Sequence, residues 1–236
     1  MRFYHSGVRL TEVPKKSGGM KAPTIREAIE LGAVPSVTEV LNLIAKPFLF
    51  AWVEDKAFKF AWDSAATPIP FEDAQKLYKD QSKAAMDRGS ELHDKMSRLE
   101  ADDFTQEAVL WVDERYKFTE HEIQFSSETY GGTIDLIGRN DDGSVDIIDF
   151  KFVMSDRKPR DSELWQLSAY REWVKQTRPV RKCVNLLISQ DDGHIITAHE
   201  WTEEQLDHGY TIFEAILNAW GAINNYDLKN KRRYRE

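Results

Sequence analysis

Two charged residues in the segment 145–151 are spaced so that they can act together. Asp149 and Lys151 are two residues apart in a run that otherwise has the composition of a β-strand. Because side chains alternate between the faces of a strand, both should leave the same face of a sheet. Asp135 lies in a preceding predicted strand, and a short hairpin would bring its carboxylate close to Asp149. Two such carboxylates are tolerated together when a divalent cation lies between them.

This arrangement suits the hydrolysis of phosphodiester bonds. A cation held by Asp135 and Asp149 would polarise a phosphoryl oxygen, lower the pKa of a water and offset charge on the leaving oxygen. Carboxylate oxygens select Mg²⁺, for which Mn²⁺ can substitute. The carbonyl of Phe150 offers a further ligand, and Lys151 could orient or deprotonate the water. An aspartate and a lysine at this spacing, taken alone, are more often an ordinary exposed charge pair on a half-solvated sheet.

The elements that must position these residues are predicted to form an α/β domain. Strands are predicted from their two-residue periodicity at 121–125, 133–138, 145–152, 182–189 and 195–200. The first three should form an antiparallel meander and the last two a hairpin. Helices follow the meander and close the chain, at 162–176 and 202–225. We therefore expect a central mixed sheet that is flanked by helices.

The N-terminal part of the chain is predicted to contribute helices. Residues 1–34 show little periodicity and are interpreted as an irregular arm with a short helix at 24–31. Further helices are predicted at 37–45, 48–63, 71–99 and 106–117. Those within 35–99 should form a wall over the site, and Gly89 indicates either a bend or a close backbone approach. One domain is expected over 35–228, followed by a basic tail at 229–236.

The composition fits a soluble globular protein. The 236 residues include 41% hydrophobic residues, enough for a sizeable core, and no apolar window is long enough for a membrane span or a secretory signal. A single cysteine, Cys183, excludes an internal disulfide and a cysteine-held metal within one chain. A cytoplasmic location without membrane association is therefore expected. The net charge of -8 is compatible with a phosphate substrate if the carboxylates gather around a cation.

Four short motifs occur in an order typical of one group of nucleases. They are Arg88-Gly-Ser-Glu-Leu-His93, Gly132-Thr-Ile-Asp135, Asp149-Phe-Lys151 and Gln166-Leu-Ser-Ala-Tyr170. In these motifs the chain resembles the PD-(D/E)XK nuclease superfamily, particularly its RecB-like branch. The segment that begins Pro35-Ser-Val-Thr is also similar to phage-type exonucleases of this group, so the resemblance covers residues 35 to about 175. One departure is Phe152, where relatives usually carry a small hydroxyl residue that can contact phosphate.

The resemblance implies a restriction-endonuclease-like fold and a set of site residues. The implied metal ligands are His93, Asp135, Asp149 and the carbonyl of Phe150. Lys151 would position the attacking water, and Gln166 and Tyr170 would steady the substrate phosphate or the site. Glu122 would join the site if its strand pairs with that of Asp135 in the right register. A slip of one residue would turn it to solvent.

A basic loop follows the strand of Asp149. Its residues Arg157, Lys158 and Arg160 could contact a DNA backbone or form a solvated loop. The resemblance implies a metal-dependent DNA nuclease of a bacterial or phage-infected cell, and the choice of an exonuclease of recombination, repair or replication rests on that resemblance alone. The DNA could be single- or double-stranded, and a homo-oligomer or a recombination protein could be a partner. Two alternatives remain open, a catalytically silent DNA-binding or recruitment protein and a structure-specific endonuclease.

Overall fold

The computed structural model of the protein describes residues 2–15, 17–44, 71–154 and 156–234, with only some of the side chains in 71–86. The helix predicted at 48–63 lies outside the described residues. Among the described residues, no helix combines the length and apolar character needed to cross a membrane.

The N-terminal segment is structured and packed, in contrast to the irregular arm predicted for 1–34. It contains one helix, α1 (Ile25–Glu30), and the strands β1 (Phe3–His5), β2 (Val8–Leu10), β3 (Val13–Pro14), β4 (Met20–Lys21) and β5 (Val34–Pro35). β1 pairs with both β2 and β5. Phe3 and Tyr4 are buried, so the core begins at the N-terminus and not at Pro35. The prediction of an arm is wrong because strands of two or three residues are too short to show periodicity.

Helices occupy the described regions in which the sequence predicts them. They are α2 (Val37–Leu41), α3 (Phe71–Ser97), α4 (Gln106–Asp113), α5 (Asp161–Val174) and α6 (Glu203–Ile223). Thr24 and Ser36 cap α1 and α2 at their N-termini, because their hydroxyls accept hydrogen bonds from backbone N–H groups of the first turn. α3 runs through Gly89, where an added Cβ would lie 3.2 Å from Nε2 of Gln190. The close approach predicted as one explanation of this glycine is therefore present.

The central sheet has five strands. They are β6 (Thr119–Ser126), β7 (Gly131–Arg139), β8 (Val145–Val153), β9 (Val180–Ser189) and β10 (Ile195–Glu200). The order across the sheet is β10-β9-β8-β7-β6, with β8 and β9 parallel and the other neighbours antiparallel. The predicted meander and hairpin, and the mixed character of the sheet, are confirmed.

Both faces of the sheet are covered, which makes it the rigid base of the molecule. On one face, Ile147 of β8 belongs to a buried cluster with Leu167 of α5 and Phe213 of α6. On the other face, Ile148 belongs to a cluster with Met96 of α3. Each such side chain contributes about 2 kcal/mol by leaving water. The fold is α/β, with a five-stranded mixed sheet flanked by helices.

The C-terminal residues continue the fold beyond α6. β11 (Tyr226–Asp227) pairs with β12 (Arg232–Arg233) in a short antiparallel hairpin. The hydroxyl of buried Tyr226 donates to the carbonyl of Ala33, 2.9 Å away. Residues 229–234 are therefore part of a hairpin and not the free tail that the sequence predicts, because Tyr226 anchors this hairpin to the N-terminal segment.

Candidate metal centre

The carboxylate of Asp135 is fixed where the ladder between β7 and β8 ends. The two strands pair from Arg139↔Val145 to Leu136↔Ile148. Beyond that point the backbone N–H of Phe150 donates to Oδ2 of Asp135 over 2.9 Å, so a side chain replaces the ladder bond. Asp135 is 6% exposed. Its carboxylate is consequently held by backbone, which gives it a defined position next to Asp149, the residue that the register would set opposite it.

Asp149 and Lys151 form an ion pair on β8, in which Asp149 is buried and Lys151 half-buried, as expected for side chains that leave the same face. The Lys151 ammonium lies 2.7 Å from a carboxylate oxygen of Asp149, and Nδ2 of Asn185 donates to the same carboxylate over 2.7 Å. Burial raises the pKa of Asp149 to about 6; Lys151 opposes this rise and Asp135 adds to it. Burial lowers the pKa of Lys151, but the charges of Asp149 and Asp135 outweigh it and the net pKa is raised. Lys151 is therefore a cation in this environment.

Asn185 is a site residue that the sequence analysis missed. It lies on β9 directly opposite Asp149 and is fully buried. The indole N–H of Trp201 donates to its side-chain oxygen over 2.7 Å, which fixes the amide so that its NH₂ group points at Asp149. A polar amide inside the apolar run Cys183–Ile188 was the available signal, because buried amides need partners. Its partner could be identified only once the parallel register was known.

His93, Glu122 and Asp135 form a group that could hold a divalent cation. One ligand atom from each lies within 4.8 Å of the others. Nε2 of His93 is 3.1 Å from Oδ2 of Asp135, and its Nδ1 is 3.7 Å from Oε1 of Glu122. The hydrogen bond to Asp135 raises the pKa of His93, against the effect of burial. Two carboxylates and an imidazole fit Mg²⁺ or Mn²⁺, with the nitrogen ligand favouring the latter.

Glu122 reaches this group through an unusual backbone. β6 pairs with β7 on both sides of it, at His121↔Leu136 and Ile123↔Ile134, but Glu122 itself has φ of 47°. A residue other than glycine in this left-handed region costs about 1 kcal/mol or more, and such strain is concentrated at functional sites. Burial raises the pKa of Glu122, and the charge of Asp135 raises it further. Of the two orientations that the sequence left open, toward the site or toward solvent, the structure has the first, since Glu122 lies beside His93 and Asp135.

The group opens into a cavity of about 550 Å³. Its lining includes His93, Glu122, Asp135 and Lys151, whereas Asp149 is covered, with 1% exposure. The cavity is also lined by Gln166 and Tyr170 of α5, in which the amide of Gln166 donates to the Tyr170 hydroxyl over 3.0 Å. Phe152 lines it too. The cavity therefore brings together residues from all four sequence motifs.

The implied ligand set and the group found in the structure overlap without being identical. His93 and Asp135 belong to both, and Glu122 takes a place in the group of described residues. Asp149 lies outside the group, because its oxygens face Lys151 and Asn185. Phe150 contributes its N–H to Asp135, and a role for its carbonyl stays a prediction.

The basic loop is arranged around an acidic residue of α5. Arg157 makes a two-pronged ion pair with Glu163, with contacts of 2.6 and 3.0 Å, and is 18% exposed. The backbone N–H of Arg160 donates to the same carboxylate over 2.8 Å. Lys158 is exposed. Arg157 therefore holds the start of α5 in place, which leaves Lys158 as the more accessible cation of the loop.

Comparison with known proteins identifies no family. No family model matches the chain, and no curated protein matches it. Among solved structures, 17 chains match. A "putative exonuclease" from Eubacterium rectale is 14% identical with a TM-score of 0.38; the match covers 70% of this chain and 65% of that one. The protein SSO0001 is 17% identical with a TM-score of 0.33, and the match covers 78% and 76% of the two chains. Similarities at this level do not establish a shared fold.

Proposed function

We propose that the protein is a metal-dependent nuclease that hydrolyses DNA phosphodiester bonds, with Mg²⁺ or Mn²⁺ as its cofactor. The observation that carries this proposal is the meeting of a three-residue candidate metal group with the Lys151–Asp149 pair in one open cavity. A cavity of about 550 Å³ beside buried carboxylates and a charged lysine does not stabilise the fold, so its presence calls for another explanation. A phosphodiester substrate would account for both the cavity and these charged groups.

Each residue has a distinct part in the proposed reaction. His93, Glu122 and Asp135 would hold the cation, which when bound polarises a phosphoryl oxygen and lowers the pKa of water. Lys151 keeps its proton, so it would orient the attacking water and stabilise the negative charge that develops on the phosphate. Asp149 would keep the Lys151 ammonium in place through their ion pair. Gln166 and Tyr170 would contact a substrate phosphate from the wall formed by α5.

The finer features of this proposal come from the motif resemblance. They are a restriction-endonuclease-like topology, exonuclease action and a role in DNA recombination, repair or replication. The charge of Lys151 and the intact Asp135 argue against a silent nuclease-fold binding protein, since such a protein has no need of either. Endonuclease action on particular DNA structures would use the same residues.

Digestion of end-labelled linear DNA tests the proposal. We expect products in Mg²⁺ or Mn²⁺ and none in EDTA, and a loss of about 10³-fold in rate for Asp135→Asn, which removes a ligand charge while preserving size. Asp146→Asn on the same sheet is the matched control and should retain activity, since Asp146 does not line the cavity. Absence of metal-dependent products from the unaltered protein would overturn the proposal in favour of a binding protein. Nicking of closed circular DNA would indicate an endonuclease.

A further inference from the structure

The N-terminal hairpin forms one wall of the cavity. β2 follows the outer edge of β6, where the N–H of Gly7 donates to the Ser126 hydroxyl over 2.7 Å and the N–H of Arg9 donates to the Gln124 amide oxygen over 2.8 Å. The two donors, Gly7 just before β2 and Arg9 within it, are two residues apart, as are the two acceptor residues on β6. The hairpin is therefore attached to the sheet in a defined register, and its position relative to the metal group is fixed.

Two arginines of this wall line the cavity. Arg2 is held by its carbonyl, which accepts a hydrogen bond from the N–H of Ser36 over 2.9 Å, and Arg9 is held by its N–H on Gln124. Both side chains are exposed. Within the described part of the chain, neither guanidinium forms a hydrogen bond or an ion pair shorter than 4.0 Å with a carboxylate. Their backbones are anchored while their charged groups remain available.

The negative charge of the rest of the cavity makes such cations necessary for binding a nucleic acid. Its carboxylates, Glu122 and Asp135, would repel a polyanion until a cation is bound, and the whole chain carries a net charge of -8. Lys151 is engaged by Asp149. Free guanidinium groups bind phosphate through paired N–H donors, which is the geometry that favours arginine over lysine at such sites.

We propose that Arg2 and Arg9 bind backbone phosphates of the nucleic-acid strand next to the bond that is cut, so that the N-terminal hairpin is a substrate-binding wall. This inference rests on the proposed function, because it takes the occupant of the cavity to be a nucleic acid. The alternative role for Arg9 is that of a counter-ion to Glu122, on which its charge acts. A counter-ion would change the affinity for metal and leave the affinity for DNA unaltered.

Binding of DNA without cleavage separates these roles. The probe is a dye-labelled single-stranded oligonucleotide with a 5′ hydroxyl, so that all its phosphates are internal, titrated in EDTA and followed by fluorescence anisotropy over a range of salt concentrations. Each phosphate contact on a single strand contributes about 0.7 to the slope of log affinity against log salt concentration. For R2Q/R9Q we therefore expect a slope reduced by about 1.4. When the salt concentration falls from 1 M to 0.1 M, the affinity of this variant should increase about 25-fold less than that of the unaltered protein.

The matched control is R26Q/R98Q, which also removes two exposed arginines but from positions that do not line the cavity. It should leave the slope and the nuclease rate unchanged. R2K/R9K, which keeps both charges, should restore most of the slope. Thermal melting of every variant verifies that it is folded.

The outcomes are distinguishable from those of the nuclease assay. A reduced slope for R2Q/R9Q in EDTA supports the wall even if the unaltered protein proves unable to cleave DNA. An unchanged slope and affinity, with an altered Mn²⁺ requirement for cleavage, would overturn it and identify Arg9 as a counter-ion. Equal losses in R2Q/R9Q and R26Q/R98Q would also overturn it, because they would reflect overall charge only.

Discussion

Strand β8 carries two buried aspartates, three residues apart, whose surroundings differ in kind. Asp146 is 0% exposed and receives hydrogen bonds from the Tyr116 hydroxyl at 2.9 Å and from Asn140 at 3.1 Å. Arg181 binds it with two N–H groups, at 2.6 and 3.0 Å. Every lone pair that this carboxylate offers has a donor, and the surrounding groups belong to different elements that it ties together.

Asp149 is as deeply buried but is placed among groups that oppose one another. It has Lys151 and Asn185 as partners, yet it faces a second carboxylate, that of Asp135. Burial and this neighbour hold its pKa above the usual range, at about 6, in spite of the lysine. The region opens into a cavity, whereas the Asp146 carboxylate is enclosed by its donors.

Under the proposed function, β8 would serve structure at its Asp146 end and chemistry at its Asp149 end. A carboxylate with a full set of donors stabilises the fold and has nothing left to offer a ligand. Two carboxylates that repel one another favour the binding of a positive charge between them, such as a metal ion. The comparison therefore predicts that removing the paired cation lowers the cleavage rate at the Asp149 end and leaves it unchanged at the Asp146 end, where stability is lost.

The largest effect, on the cleavage rate, is expected from removing the Lys151 ammonium at the Asp149 end. Lys151→Met should lower the DNA cleavage rate by about 10³-fold, because the lysine lies at the cavity where, in the proposed reaction, charge would develop on the phosphate. Cleavage of labelled DNA under saturating Mn²⁺ measures it. Lys182→Met, which removes an exposed lysine of β9 that pairs with Glu200, is the control and should not change the rate. Retention of more than about a tenth of the activity by Lys151→Met would remove Lys151 from the mechanism.

The next effect is expected at the Asp146 end and concerns stability. Arg181→Met should lower the free energy of unfolding by about 3 kcal/mol, because it leaves the fully buried carboxylate of Asp146 without its charged partner. Cleavage by the folded variant should be unaffected. Urea unfolding measures the loss, and the double variant with Asp146→Asn should recover part of it, since the unpaired charge is then gone. Equal losses in the single and double variants would contradict this account.

The sheet could be predicted from the sequence because its strands are long and their periodicity is regular. β7, β8 and β9 each span nine or ten residues, and their predicted bounds agree closely with the structure. The N-terminal hairpin could not be predicted, since its strands have three residues each and depend on contacts with β6 that are distant in sequence. Its contribution to the cavity was missed for the same reason.

The site could be predicted in part, for a similar physical reason. A spacing of two on a strand determines that Asp149 and Lys151 share a face, so this pair followed from local geometry. The inclusion of Glu122 depends on a single residue with positive φ, and the partner of Asp149 depends on the parallel register with Asn185. Neither is encoded locally. A metal site could be proposed from the sequence, whereas the arrangement of its candidate ligands required the fold.

The smallest effect is expected on the affinity for Mn²⁺ as the pH changes. It tests whether metal and protons compete for the site at the Asp149 end. The pKa of His93 is raised by its hydrogen bond to Asp135, and a cation needs the neutral imidazole. Below that pKa, each fall of one pH unit should weaken Mn²⁺ binding by up to about tenfold; as pH rises through it, the affinity should level off. Calorimetric titration with Mn²⁺ across this range measures the dependence.

Two variants assign this pH dependence to the site. His93→Gln should weaken Mn²⁺ binding and flatten its variation with pH, because the competing proton is lost with the imidazole. His194→Gln is the matched control: His194 is also paired with an aspartate, Asp192, which raises its pKa, but it lies outside the metal group. An Asp146→Asn variant should bind Mn²⁺ like the unaltered protein. If His194→Gln flattened the profile as much as His93→Gln, the cation would bind elsewhere, and the distinction between the two ends of β8 would not extend to metal.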